Sequence, residues 1–269
     1  MEILYRDDCL VAVHKPAGLL VHRSLIDKRA TDFALQRVRD QLGRRVYPVH
    51  RLDRPTSGVL LFALDAGTAR TLTAQFTAGQ VVKTYLAIGR GYLEPAGVID
   101  HALREELDAL ADANADPNKA PQTAITHFRR LATVELPYPV SRYPTVRYSL
   151  VELQPQTGRK HQIRRHLKPI FHPIIGDTTH GDGRHNQFFA RHFANQRLLL
   201  AATRLQLNAI NLSNILIIIT QSQEPTNLES TPHAHSDQDH HPDGQRNPRN
   251  IANFNLFIGR ANCKIASRV

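Results

Sequence analysis

Short β-prone runs, broken by charged or Gly/Pro turns, set the pattern of the first part of the chain. Ile3-Leu4-Tyr5 and Cys9-Leu10-Val11-Ala12-Val13 flank the charged Arg6-Asp7-Asp8 and predict two strands. Lys15-Pro16-Ala17-Gly18 then reads as a loop. Between Thr31 and Gly43 the apolar residues Phe33, Ala34, Leu35, Val38 and Leu42 recur at near-helical spacing, with Thr31 as N-cap and Gly43 as stop. The continuous apolar run Val59 to Leu64 has strand length, residues 66 to 79 read as a second helix ending at Gly79, and Lys83 to Ile88 reads as a further strand. Strand patterns return at 124 to 134, 147 to 154, 203 to 207 and 215 to 219. Without the regular strand–helix alternation of a doubly wound sheet, the chain falls in the mixed α+β class.

Two segments depart from this pattern. Residues 100 to 123 are acidic and alanine-rich and read as a surface insertion. From Ser222 to Asn250 only Leu228 and Ala234 are apolar, so the segment cannot bury enough surface to offset its ordering entropy. The expected organisation is one catalytic domain over 1–220 followed by a disordered tail over 221–269. The tail histidines His233, His235, His240 and His241 lack a scaffold that would fix metal geometry.

Charge narrows the functional classes. Lys and Arg number 34 against 24 Asp and Glu, a formal net charge of +10 that favours a polyanionic partner. The apolar run 215 to 219 is too short to span a bilayer, and no basic amphipathic helix is evident, so no membrane role is expected. Cys9 and Cys263 form neither a zinc spacing nor a disulfide framework, and the acidic start lacks the basic region of a signal peptide. These absences predict a cytoplasmic setting; separately, no obligate protein partner is implied and a monomer is expected.

Three segments carry candidate chemistry. His50-Arg51-Leu52-Asp53-Arg54-Pro55-Thr56-Ser57-Gly58 places one carboxylate between two guanidiniums, which favour its ionised form and are shaped to grip phosphate. That pattern fits a nucleophile or base acting on nucleic acid; it also fits a surface ion pair. Lys83 and Tyr85 share one face of a predicted strand. Thr157-Gly158-Arg159-Lys160-His161-Gln162-Ile163-Arg164-Arg165 opens a basic stretch: Gln154 to Arg204 holds nine Lys or Arg, six His and two acids. A helix begun near Arg159 would bring residues 161, 164 and 165 near one face.

In their order and spacing these three segments resemble the motifs of the RluA-type pseudouridine synthase family, over residues 1 to about 200. The resemblance implies a mainly antiparallel sheet with flanking helices and a central active-site cleft. It implies isomerisation of uridine to pseudouridine in RNA, with Asp53 as nucleophile, Tyr85 stacking on the base and assisting proton removal, and Arg164 paired with Asp53. Arg51 is implied to fill the gap left by the flipped nucleotide, and Lys83, Arg159, Lys160, His161 and Gln162 to contact RNA. Neither metal nor organic cofactor is implied. Leu20 to Ser24, Glu105 to Asp108, Ala132 to Pro137, Arg142 to Thr145 and His180-Gly181-Asp182 resemble the branch of the family acting on tRNA at position 65, as does the lack of room for an S4-like domain before the first strand. An rRNA substrate, or an RNA-binding protein without turnover, remains as the alternative.

The end of the chain departs from the family. Ala201-Ala202 stands where a His-Ala pair is usual, and Ala209 to Ser213 replaces a His-Pro-x-Thr-Gly turn. The sheet edge is expected to survive with an altered turn.

Overall fold

The computed structural model describes residues 1–23, 30–106 and 119–207 and the backbone of 215–218. Strands β1 (Glu2–Arg6) and β2 (Leu10–Lys15) pair antiparallel. Their turn is held by Asp7, whose carboxylate accepts from the Cys9 and Leu10 amides at 2.8 Å each. Helix α1 (Ala34–Leu42) ends as expected at Gly43, at φ 64. Its N-cap is Phe33 rather than Thr31, without a side-chain cap. Burial of the Phe33 ring, 1% exposed, outweighs a hydroxyl cap in setting that end.

After β3 (Tyr47–Pro48) the apolar run forms β4 (Ser57–Ala63), buried along its whole length. Helix α2 (Ala66–Thr77) starts at Asp65, which accepts from the Thr68 amide at 2.9 Å. The sheet continues through β5 (Val82–Arg90), β6 (Ala96–Asp100), β7 (Ile125–Leu136) and β8 (Val146–Pro155). Two short helices follow, α3 (Gln162–Leu167) and α4 (Gly183–Phe193), then β9 (Leu200–Leu207) and β10 (Ile215–Ile218).

One sheet runs through the described residues in the order β1-β2-β4-β9-β5-β8-β7-β6, with β3 against β4 and β10 against β9. Its strands pair antiparallel except at one seam, where β4 and β9 run parallel through Ser57–Ala201 and Gly58–Ala202. The fold is the mainly antiparallel α+β architecture expected. The seam joins the N-terminal strands to the rest, and each side of it carries buried apolar clusters. Gly58 is required there: at φ +116, an added Cβ would stand 2.0 Å from the Ala202 carbonyl oxygen. The Ala201-Ala202 departure from the family pattern therefore lies at the seam, where Ala202 also pairs with Tyr85 on β5.

Three elements were not anticipated. Strand β6 is a short edge after Pro95, β3 has two residues, and α4 hides its Phe188, Phe189 and Phe193 stripe among polar neighbours. Helix α3 begins at Gln162, three residues after the expected start, because His161 adopts a left-handed backbone at φ 56. The insertion is rooted by a bridge between Leu103 and Gln122. Its residues 107–118, the altered turn at 209–213, the domain boundary near 220 and the tail lie outside the described residues.

Candidate active site

A cleft of about 1420 Å³ opens across the seam, lined by the Asp53 loop, by Lys83 and Tyr85 of β5, and by the segment from Gln154 to Arg164. The topology explains the assembly. Asp53 lies just before β4, Tyr85 lies on β5, and β9 between those strands carries only small alanines at this level.

The Asp53 loop is fastened from behind. The His50 ring stacks on Phe76, and its Nε2 accepts the Leu61 amide at 3.0 Å. Burial, reinforced by the Lys83 charge, pushes the His50 pKa down to about 3, so the ring is a neutral acceptor. Lys15, fully buried at the end of β2, donates to the carbonyls of Leu19 at 2.8 Å, Pro16 at 3.0 Å and Arg54 at 3.2 Å. Burial lowers its pKa to about 7, against the opposing pull of Asp53. Arg54 Nε donates to the Gly18 carbonyl, and the Gly18 amide donates back to the Arg54 carbonyl. Arg54 thus ties the loop to the Lys15–Gly18 turn, a role its place beside Asp53 did not suggest.

These contacts leave the Asp53 carboxylate 25% exposed at the cleft. Arg164 Nη1 approaches Asp53 Oδ2 at 3.5 Å, and His161 Nε2 lies 3.9 Å from the same oxygen. Arg164 binds Asp177 more closely. Its Nε and Nη2 donate to the two Asp177 oxygens at 2.7 and 2.8 Å, with both side chains buried. Asp177 also accepts the Thr179 and His180 amides at 2.9 Å. Burial works against its charge, and the Arg164 guanidinium with those amides outweighs it, holding the carboxyl below its ordinary range. Arg164 is thus anchored by Asp177 and presented to Asp53, where sequence reasoning had paired it with Asp53 alone. Nothing local in the sequence marks Asp177 as the anchor.

The remaining sequence candidates divide. Arg51 is exposed and lines the cleft. Tyr85 packs against the clusters on both sides of the seam, and burial, then the Asp53 charge, raises its pKa, keeping the phenol neutral. Lys83 donates to the Thr157 carbonyl at 3.3 Å, Arg159 to the Thr123 carbonyl at 3.1 Å, and Lys160 to the Glu106 carbonyl at 2.9 Å. Gln162 is buried, and its amide is engaged within the protein. Its Oε1 accepts from Thr157 Oγ1 at 2.7 Å and the Arg159 amide at 3.0 Å, while Nε2 donates to the Ile125 carbonyl and Thr126 Oγ1 at 3.0 Å each. These bonds shape the turn that carries Arg159 to Arg164. His161 turns inward to meet His180 and Glu106 as well as Asp53. Burial is the largest influence on His161 and His180 and lowers both pKa values, with nearby carboxylates opposing it.

The fold is a single antiparallel-dominated sheet with a carboxylate at a cationic cleft, and the comparisons place it in a class of RNA-modifying proteins. Residues 9–168 match the model of the family described as RNA pseudouridylate synthase, and the chain belongs to that family. It is 59% identical over 208 residues to tRNA pseudouridine synthase C of Pectobacterium carotovorum subsp. carotovorum, an alignment covering 77% of this chain and 55% of that protein. It is 53% identical over 225 residues to the protein of the same name from Yersinia pestis, covering 84% and 88%. Among solved structures, Human RNA Pseudouridylate Synthase Domain Containing 4 is similar at TM-score 0.59 and 28% identity, covering 81% of this chain and 88% of that one. Human RNA Pseudouridylate Synthase Domain Containing 1 shares the fold at TM-score 0.63 and 24% identity, covering 82% and 83%.

Proposed function

We propose that this chain converts a uridine of tRNA to pseudouridine, with Asp53 as the nucleophile. The observation that carries the reading is the setting of Asp53: a carboxylate fixed from behind by its loop, one-quarter exposed at the cleft, and faced by the anchored Arg164 guanidinium. An ionised carboxylate beside a fixed cation keeps its charge and therefore its nucleophilicity. The names of the 53–59% identical relatives support tRNA as substrate, and the segments shared with the position-65 branch support that uridine.

The reaction breaks the N1–C1′ bond and joins C5 of the same uracil to C1′. The C5 proton leaves and N1 takes one up, so no electrons are exchanged with a partner. The uridine must leave its stack to reach Asp53. Tyr85 offers an aromatic face for the extruded base. Because burial holds its phenol neutral, Tyr85 is a relay and not the base: its hydroxyl oxygen accepts the C5 proton as its own O–H proton passes to a solvent water in the cleft. Arg51, at the cleft mouth, fills the space the nucleotide vacates. Arg159, Lys160 and Lys83 contact the backbone, positioning the RNA without reading its sequence. The setting is the cytoplasm, where tRNA is found, and the active unit is the monomer. Residues 1–220 form the catalytic domain. Among the described residues no helix is long and apolar enough to cross a membrane.

The test follows tritium release from C5-labelled uridine in tRNA and rRNA transcripts. Release from tRNA is expected, with Asp53→Asn reducing it by at least about 10⁴-fold, as for removal of a catalytic nucleophile. Release from rRNA alone would overturn the tRNA assignment. Unchanged release by Asp53→Asn would remove Asp53 as nucleophile.

A further inference from the structure

Beside Asp53 lies a cluster that the proposed isomerisation does not use. His161 Nδ1 is 3.1 Å from His180 Nε2 and 3.2 Å from Glu106 Oε2, and His180 Nε2 is 3.9 Å from Glu106 Oε1. The three residues come from separate places in the chain: the root of the insertion, the left-handed residue before α3, and the loop after Asp177. We propose that Glu106, His161 and His180 form a binding site for a divalent transition-metal cation, with Zn²⁺ as its best occupant.

The donor spacing is the main argument. Ligands at the Zn–N and Zn–O distances of about 2.0–2.1 Å sit about 3.3 Å apart on the edges of a tetrahedron. The two separations that involve His161 Nδ1 lie within 0.2 Å of that edge; His180 meets the other Glu106 oxygen at 3.9 Å, and rotation of the partly exposed carboxylate presents one oxygen to both rings. Two imidazoles and one carboxylate leave a fourth position for water or an RNA phosphate, the composition of an open zinc site. The donor set suits Zn²⁺, Cu²⁺ or Ni²⁺ and not Mg²⁺, which prefers an all-oxygen octahedron.

The surroundings orient the ligands as an outer shell does. His161 directs its other ring nitrogen, Nε2, toward Asp53 Oδ2 at 3.9 Å. Arg165 Nε holds Glu106 Oε1 at 3.2 Å, and the left-handed backbone of His161 turns its ring into the cluster. Asp53, Glu106 and Asp177 balance Lys160, Arg164 and Arg165, so an arriving dication meets no net positive charge from its nearest ionised neighbours. Without a cation, the two histidines satisfy each other through one N–H···N hydrogen bond. A cation replaces that bond with three coordinate bonds and ties the Glu106 segment to the cleft wall beside Asp53.

The test uses the full chain with His233, His235, His240 and His241 replaced by Asn, so that the histidine-rich tail contributes no sites. Calorimetry with Zn²⁺ alone is expected to show one site in the micromolar range, and Co²⁺ is expected to give the visible absorption of tetrahedral coordination. His180→Ala and Glu106→Gln should each weaken Zn²⁺ by at least about tenfold, and Mg²⁺ should not compete. Unchanged Zn²⁺ binding in both variants, or no binding at millimolar Zn²⁺, would overturn the site. If His180→Ala does not fold, as judged by circular dichroism, Glu106→Gln decides alone.

Discussion

The two walls of the cleft are built on different principles. The Asp53 wall is held by neutral and backbone contacts: the His50 ring accepts a strand amide, Lys15 gathers three carbonyls, and Arg54 ties its loop to Gly18. The carboxylate itself stays one-quarter exposed. The Arg164 wall is held by a buried, bidentate ion pair with Asp177, which is closed to solvent and completed by two backbone amides. The carboxylate proposed as nucleophile is thus left available on one side, while a second carboxylate is fully engaged on the other. One arginine bridges the two. Its fork is committed to Asp177, and Nη1 is extended toward Asp53.

The largest expected consequence of this contrast falls on the buried side. Asp177→Asn keeps the shape but removes the charge opposite Arg164, and breaking a buried pair at one partner costs about 3–5 kcal/mol. Urea unfolding should show that loss, and turnover should fall together with it at temperatures where the protein remains folded. A stability change below about 1 kcal/mol would mean that Asp177 is not the anchor.

An intermediate effect tests the other wall through pH. The folded His50 has a pKa of about 3 against an ordinary 6.5. Between those values the unfolded chain takes up a proton that the folded chain refuses. Stability should therefore fall as pH drops from 6.5 toward 3. Thermal unfolding of His50→Asn should show a shallower fall over that window than wild type; equal slopes would assign the acid sensitivity elsewhere.

The smallest effect belongs to the rim. Arg159→Ala should weaken tRNA binding uniformly and lower the salt slope of log K by about one, leaving the bound-state rate near wild type. A sequence-selective loss would show that Arg159 reads bases rather than backbone.

Much of this contrast was legible before folding, and the rest was not, for identifiable reasons. Asp53, Tyr85 and Arg164 stood out because each sits in a local motif, and the structure brings all three to one cleft. The pairings of Asp177 with Arg164 and of His180 with His161 were not legible, because the partners lie in different turns of the chain. The structural work of Gln162 and Arg54 was equally hidden, because the carbonyls, amide and hydroxyls they hydrogen-bond lie elsewhere in the chain. Helix α4 was hidden because its three phenylalanines are spaced among Gly, Arg, Asn, Gln and His.

The sequence by itself determined the alternation that makes the sheet, the glycines that end α1 and cross the seam, and the basic, motif-bearing segments proposed to meet RNA. These are properties of neighbours along the chain, where side-chain period and backbone freedom act directly. Only the tertiary structure decided which carboxylate is engaged and which is available. Ionisation and hydrogen bonding depend on groups distant in sequence and on the burial they share. The parallel β4–β9 seam brings those groups together and places Asp53 opposite Arg164.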